Sequence, residues 1–271
     1  MAVMLALLAL SMLIFPAVTM DAAAQACRLF AGSVLPGLFP YMVVSSMLLR
    51  RMKPPLPALL ILLMGWGGGS PAGAKLIHAA GGLPSRQKSR LLIACSALSP
   101  MFFLGTLAKW LASPVCGGIA LFSVLTSGCL AAAFAGKGLP TLPAKQENHR
   151  SLSLQEAVES SARTMLLVCG MTVFFRVCAA LLITAFPQGR GVILPVMEVT
   201  AAMEYVCQLP LPLGWKTALV SGVAGFGGCS LMMQNRSLCP VMSLPRQILC
   251  QVLHGAIAFV LALGASVMLH I

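Results

Sequence analysis

Few residues in this chain could do chemistry, and most of them sit in apolar surroundings. Glu198 and Glu204, in the segment ILPVMEVTAAMEYV, are the only acidic residues inside an apolar run. An ionisable group at membrane depth costs about 3 kcal/mol or more unless a polar or cationic partner meets it, so such a residue marks a solute or ion pathway by default. At 100° per residue, a spacing of six sets the two carboxylates about 120° apart around a helix axis, so they need not share a site. Glu198, with Val199 and Thr200 after it, is the better placed to bind a polar or cationic group; the alternative is a structural partnership with Arg163, Arg176 or Lys216. Glu204, nearer the segment end, reads as reaching for the interface. Ser70 and Ser230 offer hydroxyls. Lys75 offers an ammonium that either meets a solute or reaches the interface. His254 could relay protons or serve as a structural donor, and Gln234 and Asn235 either line a mouth or end their segment. These groups suit recognition of a small polar solute or ion.

Two glycine-rich stretches position most of these residues. GWGGGSPAGAK, from Gly65 to Lys75, is echoed by GFGGCS, from Gly225 to Ser230, at an offset of 225 − 65 = 160. Both interrupt apolar runs, LPALLILLM before the first and LGWKTALVSGVA before the second. Non-helical backbone facing lipid would leave amides and carbonyls unpaired at several kcal/mol each, so it is tolerated only inside protein or around a polar cavity. Paired helix breaks in corresponding positions point to a substrate site. A half-helix starting near Pro71 would aim free N–H groups into such a cavity, where an anion or carbonyl oxygen is favoured. The expected solute-binding set is therefore Gly67, Gly68, Ser70, Lys75, Glu198, Thr200, Gly227, Gly228 and Ser230. The alternative is that the glycines only let helices pack closely.

Of the 271 residues 59% are apolar and 9% charged, far from the roughly 45–50% and 25% of soluble domains, which makes this an all-α polytopic membrane protein. The net charge of +12 comes from 18 Lys and Arg against 6 Asp and Glu. Because the basic residues lie mostly between apolar runs, they set orientation and do not signal nucleic acid. The ten cysteines form no CxxC pair and read as small hydrophobes, with a Cys207–Cys239 bridge as the one candidate pairing. GxxxxGK[ST], HExxH and GxSxG are all absent, so no enzyme activity, cofactor or metal is expected.

The apolar pattern predicts a first span over residues 1–21 and a segment over 22–49 that Pro36 and Pro40 kink or split. The first glycine break follows within Leu56–Ala80, then a span from Leu91 to Leu111 and another from Pro114 to Gly136. The polar stretch 137–152 is a cytoplasmic linker between two repeats, 22–136 and 153–271. Ser153 and Glu156 form an SxxE capping box that starts a helix near Leu154, running to about Phe186. A shorter segment covers Val192 to Cys207, the second break lies within Leu211–Met233, and Pro245 opens the last helix. Arg50, Arg51 and Lys53 before the first break, and Arg86, Lys88 and Arg90 after it, stay on one side only if a re-entrant hairpin lies between them. With Lys137, Lys145 and Arg150 the inner loops carry nine basic residues, against Arg190, Lys216, Arg236 and Arg246 outside in the second half. That asymmetry predicts inverted-topology repeats, each with a glycine-broken re-entrant hairpin.

A family resemblance joins these readings. GLFPYMVVSSMLL, GGGSPAGAKL, the PSRQKSRLL turn with LSPMFFLGT, then GFGGCSLMMQ and the arginine-led PRQILCQVLHG together resemble the sporulation integral membrane protein YlbJ family, from Leu29 to about Ala262. That family carries the nucleoside-recognition or Gate domain, shared distantly with concentrative nucleoside transporters, the ferrous-iron transporter membrane domain and the spore maturation proteins. The resemblance implies a role in endospore formation, through cortex assembly, in the cell membrane of a Gram-positive spore former. The expected partners are the lipid bilayer, a small polar solute or ion and other spore-envelope membrane proteins. The alternative is a non-transporting membrane scaffold.

Overall fold

The computed structural model describes residues 2–52, 56–80, 82–136 and 152–271. The linker 137–152 lies outside them except for Leu152, as do Lys53, Lys137, Lys145 and Arg150 of the basic loops. The fold is helical, with no strand among the described residues. Among the described residues four helices are long and apolar enough to cross a membrane: Pro16–Arg51, Pro114–Ala135, Leu154–Ala185 and Leu244–Met268.

Prolines decide the first elements. Pro16 lacks an N–H and suits the first position of a helix, so α1 (Ala2–Ile14) stops there and α2 (Pro16–Leu29) begins, with Phe15 at φ −115° and ψ 60° between them. The span expected over 1–21 is therefore only a 13-residue helix, about 20 Å long and shorter than a hydrocarbon core of about 30 Å. Pro36 and Pro40 do not split the next segment, which is helical from Pro16 to Arg51. A π-helical turn, Phe30–Val34, leads α2 into α3 (Leu35–Arg51). It spans Gly32, the carbonyl that the Pro36 ring would crowd in a regular helix, and its wider winding accommodates the ring.

After α3 come α4 (Ala58–Gly68), α5 (Ala72–Ala79) and α6 (Ser85–Ala94). A π-helical turn (Phe102–Leu107) leads into α7 (Ala108–Trp110), and α8 (Pro114–Ala135) completes the first half. The capping box forms as its sequence predicts: Ser153 Oγ accepts from Glu156 N at 3.2 Å and Ser153 N donates to Glu156 Oε2 at 2.8 Å. It starts α9 (Leu154–Ala185). Then follow α10 (Arg190–Met197), α11 (Val199–Gln208), α12 (Leu213–Phe226), α13 (Gly228–Leu238) and α14 (Leu244–Met268).

The same order of long and short helices thus recurs, α2–α3 to α8 and then α9 to α14. α14 begins 244 − 114 = 130 residues after α8, and α12 begins 213 − 85 = 128 after α6. This register differs from the offset of 160 between the glycine motifs. By position, GWGGGS at the end of α4 matches the break after α10, and GFGGCS matches the break after α6. Two interruptions that the sequence reading ran through now appear. Cys95 to Ser99 part α6 from the π turn, so Leu91–Leu111 is no continuous helix, and Glu198 parts α10 from α11. Pro100 and Pro195 lie beside these interruptions, the signals that could have placed them.

The helix faces are sorted by size as much as by polarity. α8 buries Gly117, Ala120, Ser123, Val124, Ser127, Gly128 and Ala131, while Phe122 is 73% exposed and Phe134 51%. Small residues let backbones approach, which is how helices associate where burial of large side chains gains nothing over lipid. Where α12 meets α14, a Cβ on Gly225 would lie 3.0 Å from the Gly255 Cα. α8, α12 and α14 form one tightly packed side with α6, and α9 packs on α2 and α3 on the other. The four interruptions lie between these two sides.

Candidate functional site

At the first interruption α4 and α5 run side by side. A Cβ on Gly73 would meet the Gly65 carbonyl oxygen at 3.3 Å, although eight residues separate the two. Gly69 makes the reversal at φ +63°, a conformation that a Cβ would strain. That Cβ would also sit 2.5 Å from Ser99 N and 2.7 Å from the Leu98 carbonyl carbon. The loop is therefore laid directly on the backbone of the 95–99 interruption. Ser70 N donates to Ala97 O at 2.5 Å, and Trp66 Nε1 donates to Ala94 O at 2.9 Å. Across the two interruptions one freed backbone amide thus meets a freed carbonyl, and the Trp66 side chain meets a second carbonyl.

The second half repeats this contact with different residues. Gly228, at φ +66°, lies under the end of α10, where a Cβ would stand 3.0 Å from Pro195 O and 3.3 Å from Val196 O. Glu198 is 1% exposed and caps α11. Its Oε1 accepts from Thr200 N at 3.0 Å, and its Oε2 accepts from Ala201 N at 2.8 Å and from Thr200 Oγ1 at 2.6 Å. A carboxylate at a helix N-terminus also meets the positive end of the helix dipole. Neither α5 nor α13, whose N-termini also lie at interruptions, has a side-chain cap.

Asn235 on α13 ties the two halves together. Ser70 Oγ donates to its Oδ1, and its Nδ2 donates to Ser96 Oγ at 3.2 Å. One buried amide therefore joins the 69–71 and 95–99 interruptions to the helix that follows Gly227. Beside it, Gln234 Nε2 donates to Ser230 Oγ at 3.1 Å and to Thr172 Oγ1 of α9 at 3.4 Å.

Ser70, Glu198, Thr200, Ser230, Gln234 and Thr172 line a single cavity of about 30 Å³, room for a water or a small ion. Four of the nine expected residues thus meet, drawn from both halves. The other five are placed elsewhere. Gly67 and Gly68 pack beneath Tyr41, whose ring atoms would stand 2.7–2.9 Å from a Cβ on either glycine, and whose hydroxyl donates to Met64 O at 2.7 Å. They are close-packing positions, not solute contacts. Gly227 turns the chain at φ +77° against Leu231, and Gly228 is covered by α10 carbonyls. Lys75 Nζ is buried with no hydrogen-bond partner among the described residues, away from the residues lining this cavity.

No family model, curated protein or solved structure matches the chain.

The remaining polar residues fall into structural roles or into a second cavity. Arg176 pairs with Glu204 at 2.8 Å, so one of the three basic partners weighed for Glu198 belongs to the other glutamate. Lys216 Nζ donates to Cys207 O at 2.9 Å, and His254 Nε2 donates to Val124 O at 2.9 Å. All ten cysteines are unpaired, so the Cys207–Cys239 bridge does not form. α13 does not fold back on α12 as a hairpin would; it packs on α9 and α10.

Proposed function

We propose that the chain is a multi-pass membrane permease or channel that holds a small polar solute or ion among Ser70, Glu198, Thr200 and Ser230. The observation carrying this reading is the convergence of four helix interruptions, through Ser70, Leu98, Glu198 and Ser230, on one small cavity that is lined from both halves and mixes polar groups with apolar side chains. Broken helices meeting at mid-depth are how membrane proteins bring backbone dipoles and hydroxyls to a solute without exposing unpaired groups to lipid. The recurrence of element order at about 130 residues and the basic loops flanking α4–α5 support an inverted repeat, with α4–α5 and α10–α11 entering from opposite faces. The resemblance to the YlbJ family supports a place in endospore formation, in the cell membrane of a spore former, beside other envelope proteins.

The bonding of Glu198 favours a second reading. Its carboxylate is engaged by its own helix through three hydrogen bonds, as suits a scaffold whose interruptions serve packing alone. Glu198→Gln and Ser70→Ala, expressed in the spore former that carries the protein, separate the two. A permease loses function, read as heat-resistant spore yield, while the protein accumulates normally. A scaffold keeps full yield at normal abundance.

A further inference from the structure

A larger cavity lies one helical turn beyond the first, along the same helices. Gln25, Arg176 and Glu204 line it four residues on from, or before, Leu29, Thr172 and Thr200 of the smaller cavity. Its volume is about 540 Å³, within the range of small-molecule sites. Its wall is built around Arg176, whose side chain is 9% exposed. Nη2 of Arg176 donates to Glu204 Oε2 at 2.8 Å and to Gln25 Oε1 at 3.2 Å, while its Nη1 is buried without a partner among the described residues. Two further, opposite charges line the same cavity, Asp21 and Arg190, both on exposed residues. Arg190 lies 5.0 Å over the Tyr205 ring, and neither it nor Asp21 belongs to an ion pair among the described residues.

We infer that this cavity binds a small zwitterion, a molecule joining a primary ammonium to a carboxylate or phosphate. Both signs of charge face one space and sum to zero over Asp21, Arg176, Arg190 and Glu204, so a singly charged solute would leave one of the outer charges without a counterpart. The guanidinium of Arg190, held over the Tyr205 ring, suits a carboxylate or a phosphate. The Asp21 carboxylate suits an ammonium. The same chemistry is offered by a free amino acid-like solute and by an aminophospholipid headgroup. The inference does not rest on transport, because a scaffold could hold the same ligand.

Binding is tested at about pH 5, where a phosphate monoester carries a single negative charge, on the full chain purified in a detergent free of aminophospholipid, with phosphoethanolamine as probe and inorganic phosphate and ethylammonium as its separate halves. Thermal unfolding should move up with phosphoethanolamine and not with either half at the same concentration. Asp21→Asn and Arg190→Gln should each weaken the effect about tenfold, the loss expected for one charge-assisted contact. Asp21 has no ion-pair partner among the described residues, so its variant should unfold at the wild-type temperature without ligand. In phosphatidylcholine nanodiscs, added phosphatidylethanolamine competes with the probe if the ligand is a headgroup and leaves it unaffected if the ligand is free; either result keeps the zwitterion. Equal stabilisation by phosphate or ethylammonium alone, no stabilisation by phosphoethanolamine, or unchanged affinity in both variants would overturn it.

Discussion

At Ser70 and at Glu198, separated by 198 − 70 = 128 residues, the chain meets one physical demand with two chemistries. Each residue precedes a short helix that starts inside the protein, where the first amides have no partner within the helix. In the first half, backbone answers backbone: Gly69 lies against Ser99, and Ser70 N donates to Ala97 O. In the second half a side chain answers: Glu198 turns back on Thr200 and Ala201. The backbone solution needs a glycine and tolerates nothing larger. The side-chain solution needs an acceptor and tolerates changes of shape. The Ser70 hydroxyl is thereby left to reach across to Asn235, whereas the Glu198 carboxylate is held by its own helix.

Substitutions should rank accordingly. Gly69→Ala strikes the backbone contact, with both φ +63° and a Cβ 2.5 Å from Ser99 N against it. It should cost about 3 kcal/mol or more, seen as loss of accumulated, monodisperse protein. Wild-type yield and unfolding temperature would break the distinction at once. Gly228→Ala meets a looser contact, 3.0 Å from Pro195 O at φ +66°, and should cost about 2–3 kcal/mol by thermal unfolding in detergent. Glu198→Ala strands two buried amides and a hydroxyl and should cost about 2 kcal/mol; Glu198→Gln keeps an acceptor and should cost about half of that. Equal losses for the two Glu198 variants would show that charge, and not capping, is what the position supplies. Ser70→Ala gives up one hydrogen bond, with Asn235 still joined to Ser96, and should cost about 1 kcal/mol.

Much of this frame was legible in the sequence where the signal is local. The Ser153–Glu156 box lies within one helical turn, and α9 begins and ends close to where its apolar pattern does. The glycine run marks a real reversal because Gly69 needs its positive φ. The 160-residue echo misled because similar glycine strings serve unlike positions: Gly67 and Gly68 make room for Tyr41, whereas Gly228 makes room for the end of α10. Glu198 was legible as buried and polar, yet its role as a cap depends on a helix break whose one local signal is Pro195, three residues before it. The part played by Asn235 was not legible at all. Its partner Ser70 is 165 residues away, and no local pattern carries a contact of that range.

The claim that the interruptions enclose a space a solute can reach is tested most directly by thiol labelling. Ser70→Cys and Thr200→Cys would be made in a chain whose ten native cysteines are replaced, with Ile77→Cys, fully buried in the apolar core, as control. Silver ion, a thiol reagent small enough for a cavity that holds a water or a small ion, should bind the thiols at positions 70 and 200 in the folded protein and leave 77 untouched. Folded protein in which 70 and 200 resist the reagent as completely as 77 does would contradict it.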